Sequence, residues 1–344
     1  MSNWPKIRRI APGPSGAFPD LDRRRVLELA GASAAFALAA PSVARAQAYP
    51  SRPVRAIVTF APGGTVDVYA RLACRYLSEK LGQQFVVENV AGATGNRGTQ
   101  QAARSAPDGY TILFALSTHA VNASVFPSLP YDPINDFAPI NLSVSSTHVL
   151  SVNPSVAAKD VREFVADLRA RPNQNYAHGG LGTQGHLLAE RLKVTQKLDM
   201  VAITFPGAGP AVQAVVANQI PSAWTTMASA GPMIAGGRLR ALAVTGKTRS
   251  ALLPEVPTMI EQGFPEIEGD TWVGIMAPKG TPEEVVSTIN REISAFLAMP
   301  ASRQRLAEVG FDVVNAGPAD FSKRLVEEMA FWKKVVDETN VKLQ

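Results

Sequence analysis

The chain repeats one unit: a short apolar run, a glycine-bearing turn, then a stretch with helical spacing. Residues 54–60 read as a buried strand and Ala61-Pro62-Gly63-Gly64 as a turn. Val68, Leu72, Tyr76 and Leu77 then share one helical face, which Gly82 ends. Residues 85–88 and 110–116 are further strands, with a helix near 96–104 and the turn Pro107-Asp108-Gly109 between them. Strand–helix–strand order implies parallel strands joined by right-handed crossovers. The unit resumes with strands at 148–152, 174–177, 200–204, 223–226 and 239–244 and helices at 161–169, 186–192 and 210–217. Residues 271–277 form one more strand, and helices at 282–297 and 319–336 close the chain. The expected fold is α/β in two blocks. Residues 49–150 plus 272–344 make a first lobe and residues 151–271 a second, with crossings near Ser151 and Thr271.

Residues 1–48 stand outside this pattern. Arg23-Arg24-Arg25 precedes an apolar stretch at 26–40, followed by the overlapping small-x-small sites Ala44-Arg45-Ala46 and Ala46-Gln47-Ala48. This order predicts an export signal cleaved near Ala46 or Ala48, and hence a periplasmic protein. Arg23-Arg24-Arg25-Val26-Leu27 is similar to a twin-arginine signal, although Glu28 stands where a basic residue is usual. The apolar stretch is shorter than the roughly 20 residues of a membrane span. The segment also carries the charge. Of the net +5, residues 1–46 hold seven positive and three negative side chains, leaving the remainder near neutral. A near-neutral mature protein gives no electrostatic basis for binding nucleic acid. The one cysteine, Cys74, lies in a helical pattern and reads as a buried, inert thiol.

In α/β sheets ligands sit beyond the carboxyl ends of strands, so the turns from strand to helix are the candidate sites. The first is Pro62-Gly63-Gly64-Thr65-Val66-Asp67, where glycine lets backbone N–H groups approach a ligand and the helix start favours a carboxylate. Asp67 is read first as the helix cap, since an anion repels an anionic ligand, and is kept among the candidates. Ser117-Thr118-His119 adds hydroxyls and an imidazole. Gly180-Leu181-Gly182-Thr183-Gln184-Gly185 spells G-x-G-x-x-G, but it follows the second strand of its block and no acidic residue ends the next strand. An anion nest at a helix start explains the same glycines better than a dinucleotide site. Phe205-Pro206-Gly207-Ala208 is the fourth turn.

Turns of one type in two lobes suit a carboxylate clamped between them. Charge-assisted hydrogen bonds contribute roughly 1.5–3 kcal/mol each. Micromolar binding needs about −8 kcal/mol after association costs of about 4 kcal/mol or more. Four or five such bonds barely suffice, so closure that excludes water is expected. G-x-S-x-G, H-E-x-x-H and C-x-x-C signatures do not occur, and the four histidines lack metal-ligand spacing. No catalytic residue, metal or cofactor is therefore expected, and His186 reads as structural. The alternatives are an exported hydrolase or isomerase using Asp67 or His119 as base, and a sensory subunit.

Several motifs in joint order resemble the Bug family, the solute receptors of tripartite tricarboxylate transporters. They are Tyr49-Pro50-Ser51-Arg52-Pro53, Pro62-Gly63-Gly64-x-x-Asp67, Pro107-Asp108-Gly109-Tyr110-Thr111, Leu129-Pro130-Tyr131-Asp132-Pro133, Gly180-x-Gly182-Thr183-x-x-His186-Leu187, Val256-Pro257-Thr258 and Ala277-Pro278-x-Gly280-Thr281-Pro282. The resemblance implies a type II periplasmic-binding-protein-like fold with a central cleft. It implies closure on a small carboxylate or related solute and transient delivery to membrane permease subunits; a monomer is expected. It places Pro62, Gly63, Gly64, Thr65, Asp67, Ser117, Thr118 and His119 at the ligand, with Gly180, Gly182, Thr183, Phe205, Gly207, Ala208 and Thr226 from the second lobe. The sequence departs from the family at Phe205-Pro206-Gly207, where Tyr-Lys-Gly is usual, and at Ile220-Pro221, where Val-Asp is frequent. Thr225-Thr226 replaces a frequent Asp-Asn, and His178 a usual serine. Loss of an acid at 225 is expected to disfavour ligands with amino groups, and His178 to meet a second acidic group.

Overall fold

The computed structural model describes residues 49–339. The expected export signal lies outside the described residues. The chain begins with strand β1 (Val54–Val58), helix α1 (Thr65–Leu81), β2 (Phe85–Asn89), α2 (Asn96–Ala103), β3 (Thr111–Leu116) and α3 (Thr118–Val125). A 16-residue strand, β4 (Phe137–Val152), follows. Next come α4 (Val161–Ala170), β5 (Gln174–His178), α5 (Gln184–Gln196), β6 (Met200–Thr204), α6 (Ala208–Val216), β7 (Ser222–Thr226), α7 (Met227–Ala235) and β8 (Arg240–Val244). The chain closes with β9 (Asp270–Pro278), α8 (Glu283–Ala298), α9 (Pro300–Glu308), β10 (Asp312–Ala316) and α10 (Pro318–Thr339).

The central strands β1, β3 and β9 are largely apolar because both of their faces are covered. Val54, Ala56 and Val58 of β1, with Ile112 and Phe114 of β3, enter a core shared with Tyr69 and Leu77 of α1 and Ile289 and Phe296 of α8. Ile57 and Leu113 point the other way, toward Val121 of α3 and Phe321, Leu325 and Trp332 of α10. The second half repeats this three-layer scheme. Leu150 and Trp224 pack with Phe164 of α4 and Leu188 of α5, whereas Val149 and Ala223 pack with Val212 of α6 and Met227 of α7. Full burial of one such large side chain is worth about 1.5–3 kcal/mol.

The strands pair in the order β2-β1-β3-β9-β4-β7-β5-β6, with β10 and β8 also on β4. The expected parallel pairing holds where one helix joins two strands: β1 with β2 and β3, β5 with β6 and β7. It does not extend to β4 or β9, which run antiparallel to their neighbours. β4 follows β3 and α3, but β9 lies between β3 and β4 in the sheet, so the two do not pair directly, and β9 itself is reached without a helix. Residues 137–147 of β4 pair with β9, and His148–Val152 with β7. The sequence pattern reveals only the last five residues of β4, because Pro139 and the bulges at 139/141 and 142/144 interrupt the alternation. Cys74 is buried in α1, and burial pushes its thiol pKa far up, as expected of an inert cysteine. Among the described residues no helix is long and apolar enough to cross a membrane.

Candidate ligand-binding site

Five helices begin around one cavity of ≈ 30 Å³. Its lining includes Gly64, Thr65 and Val66 at the start of α1, Thr118 at α3, Thr183, Gln184 and Gly185 at α5, Ala208 at α6 and Thr226 at α7. A helix start presents several backbone N–H groups without intrahelical partners and a partial positive charge. At α5 Thr183 accepts from His186 N–H, and at α7 Ser146 Oγ accepts from Ala228 N–H at 3.1 Å; the starts of α1, α3 and α6 have no side-chain cap. The rest of the lining is Phe60, Leu116, His148, Gly179, Trp224, Thr225 and Thr271, with no Asp, Glu, Lys or Arg. A second cavity of ≈ 440 Å³ shares Phe60 and Gly179 with the first and is lined by Thr94, Phe126, Gly180, Leu181, Thr204 and Phe205 among others.

The two halves meet across these cavities. Thr65 Oγ1 lies 2.6 Å from Thr226 Oγ1. Thr94 Oγ1 donates to Leu181 O at 2.7 Å. Close approach depends on glycine: a Cβ at Gly209 would sit 2.7 Å from Pro62 O and 2.9 Å from Gly63 C. Gly63 itself takes the left-handed backbone region at φ 76°, which turns the chain into α1.

Of the residues expected from sequence, Gly64, Thr65, Thr118, Thr183, Ala208 and Thr226 line the first cavity, and Gly180 and Phe205 the second. Pro62, Gly63 and Gly207 stand in the backbone that brings the halves together. Asp67 is buried behind its loop and takes hydrogen bonds from Gly63 N–H at 2.9 Å, Asn89 Nδ2 at 2.9 Å and Arg71 Nη2 at 2.9 Å. Burial raises its pKa, but the bonds from Arg71, Gly63 and Asn89 outweigh this and hold the carboxyl below its usual range. Its acceptors are occupied, and it braces the loop rather than facing the cavity.

Ser117, Gly182, His119 and His178 line neither cavity. His119 is packed between Tyr131 and Phe137, with Nε2 on Pro133 O at 2.8 Å. His178 has Nδ1 2.9 Å from Gly180 O and 3.3 Å from Gly180 N, has Nε2 beside Thr204 Oγ1 and stacks on His186 at 4.3 Å. Both of its nitrogens thus lie against protein groups. In its place the structure brings in His148, Trp224 and Thr271, which strand register alone delivers to the cavity. No local motif marks them; Thr225, beside Trp224, stands out in the sequence only as a family departure.

The fold matches that of known proteins. A family model described as "Tripartite tricarboxylate transporter family receptor" matches residues 69–341. Protein BugT of Bordetella pertussis is 37% identical over 328 residues, spanning 94% of this chain and 100% of that protein. Among solved structures, the periplasmic binding protein BugD has a TM-score of 0.83 at 30% identity, covering 86% of this chain and 100% of that one. Rpa4515 of R. palustris with adipate has a TM-score of 0.82 at 32% identity, covering 85% and 98%. MatC of Rhodopseudomonas palustris with bound malate has 0.79 at 32% identity, covering 84% and 100%. The chain belongs to the tripartite tricarboxylate transporter receptor family, the two-lobed periplasmic solute-binding proteins of TctC and Bug type.

Proposed function

We propose that the protein is exported, loses its first 46–48 residues, and works as a monomer that captures a small carboxylate in the periplasm for a membrane permease pair. The observation that carries this reading is the convergence of five helix starts, three without a side-chain cap, on one cavity without charged side chains. Backbone amides and hydroxyls there supply directed donors, and the helix dipoles favour an anion without a full counter-charge. Adipate and malate in two relatives support the same class of ligand. The lobes divide where β4 changes partners, between Thr147 and His148, and where β9 begins at Asp270. The first cavity takes the carboxylate and the second the remainder of the acid, past Phe60. A cavity of ≈ 30 Å³ is far below the roughly 300 Å³ of an ordinary ligand pocket, so the lobes separate to admit the acid.

As a receptor the protein returns the acid unchanged. Thermal-shift screening of the mature chain against mono- and dicarboxylates tests the assignment. A bound acid at 100 times its dissociation constant adds about 2.7 kcal/mol. With no carboxylate in the lining, succinate and adipate are expected to bind better than aspartate and glutamate. The absence of a shift with any acid overturns the assignment.

A further inference from the structure

Three residues of the first cavity carry buried polar side-chain atoms with no hydrogen-bond partner: His148 Nδ1, Trp224 Nε1 and Thr225 Oγ1. Each is at least nine-tenths buried, and unsatisfied buried polar groups are rare in folded proteins. Trp224 Nε1–H can only donate and the Thr225 hydroxyl can donate or accept, but the two side chains leave opposite faces of β7, Trp224 packing with Leu150, Phe164 and Leu188. His148 is different, and its tautomer follows from its neighbours. Thr271 Oγ1 donates to Gln184 Oε1 at 2.7 Å, which leaves its oxygen to accept from His148 Nε2–H, also at 2.7 Å. Burial lowers the imidazole pKa to about 4, so the ring is neutral at pH 7. With the proton on Nε2, Nδ1 is a bare acceptor.

A carboxylate alone cannot satisfy this atom, because both of its oxygens are acceptors as well. A donor beside the carboxylate is needed. An ammonium is disfavoured: the lining has no acidic side chain, and the surrounding helix starts place positive potential there. A hydroxyl supplies such a donor, and on the carbon next to the carboxylate it stays within the same small chamber. Resting on the carboxylate-receptor reading above, we propose that His148 Nδ1 is a specificity-determining acceptor for the hydroxyl of a 2-hydroxycarboxylate. Thr271 and Gln184 are then positioning residues that hold the proton on Nε2.

The test is calorimetry on the mature protein with acids that differ by one hydroxyl: malate against succinate, lactate against propionate, and 3-phenyllactate against 3-phenylpropionate. In each pair that binds, the hydroxy acid is expected to be at least tenfold tighter. His148→Phe should remove that preference while retaining the parent acid. Thr271→Val, which frees the tautomer, should reduce it. The ¹⁵N resonances of His148 give a readout that needs no variant: Nδ1 should show the shift of an unprotonated nitrogen and move when the hydroxy acid binds. Equal affinities within every pair overturn the role of His148 and leave the receptor assignment standing, as does a protonated Nδ1. If none of the six acids binds while another carboxylate does, the role of His148 falls and the receptor assignment stands; if no carboxylate binds, both fall.

Discussion

All four histidines, at 119, 148, 178 and 186, are buried. Burial lowers the imidazole pKa of His119, His148 and His186 to about 4; at His178 burial and the adjacent His186 lower it to about 3. Unfolded histidine titrates near 6.5. Below that pH the unfolded chain gains protons that the native state refuses, so stability is full above about pH 6.5 and declines toward pH 4. At about 1.4 kcal/mol for each pH unit between the two states, one histidine withdraws about 3 kcal/mol by pH 4. Urea denaturation at pH 7, 5.5 and 4.5 should show this fall, and His119→Phe, which keeps the ring packing on Tyr131 and Phe137, should make it shallower. An unchanged slope would remove His119 from the account. Trp272 is a second sensitive position. Its Nε1–H donates to Glu328 Oε2 at 2.6 Å, and burial keeps the Glu328 pKa raised despite this bond and that from Arg324. Trp272→Phe is expected to cost about 1–3 kcal/mol in urea denaturation by leaving a buried acceptor short of a donor, with ligand affinity unchanged.

The glycine turns 62–64, 180–182 and 205–207 could be read from sequence because each marks a place where backbone must turn or come close. Gly209 shows the same physics in a helix. A Cβ there would collide with Pro62 and Gly63 of the opposite lobe, so Gly209→Ala should hold the lobes apart. Calorimetry is expected to show at least a tenfold loss of affinity with little change in melting temperature, since alanine favours the helix itself. Retained affinity would mean that the two loops separate at no cost. Other elements escaped the sequence reading. The helices Thr118–Val125 and Met227–Ala235 are built from Thr-His-Ala-Val-Asn-Ala-Ser-Val and Met-Ala-Ser-Ala-Gly-Pro-Met-Ile-Ala, which lack an amphipathic stripe. Tertiary packing decides them, and their starts bring Thr118 and Thr226 to the cavity. His148 escaped for another reason: pairing of β4 with β7 and β9, a contact between distant segments, carries it there.

The molecule as a whole is tied by β4, whose 16 residues serve both lobes. The lobes should therefore unfold together, with far-UV circular dichroism and tryptophan fluorescence giving coincident urea transitions. Separated transitions would show that the shared strand does not couple them. The two blocks were legible in the sequence because strand–helix repetition survives burial on both faces; the antiparallel strands that join them were not, because no local pattern encodes a return from 120 residues away. The place where β4 exchanges partners also has a mechanical meaning. His148 and its ladder partner Thr226 stand at the fulcrum, and Thr65 and Gly209 stand out along the arms. A fulcrum barely moves when arms swing, so under the proposed parting of the lobes the floor of the chamber should keep its shape and inspect an arriving acid first. The arms then govern how long an accepted guest stays.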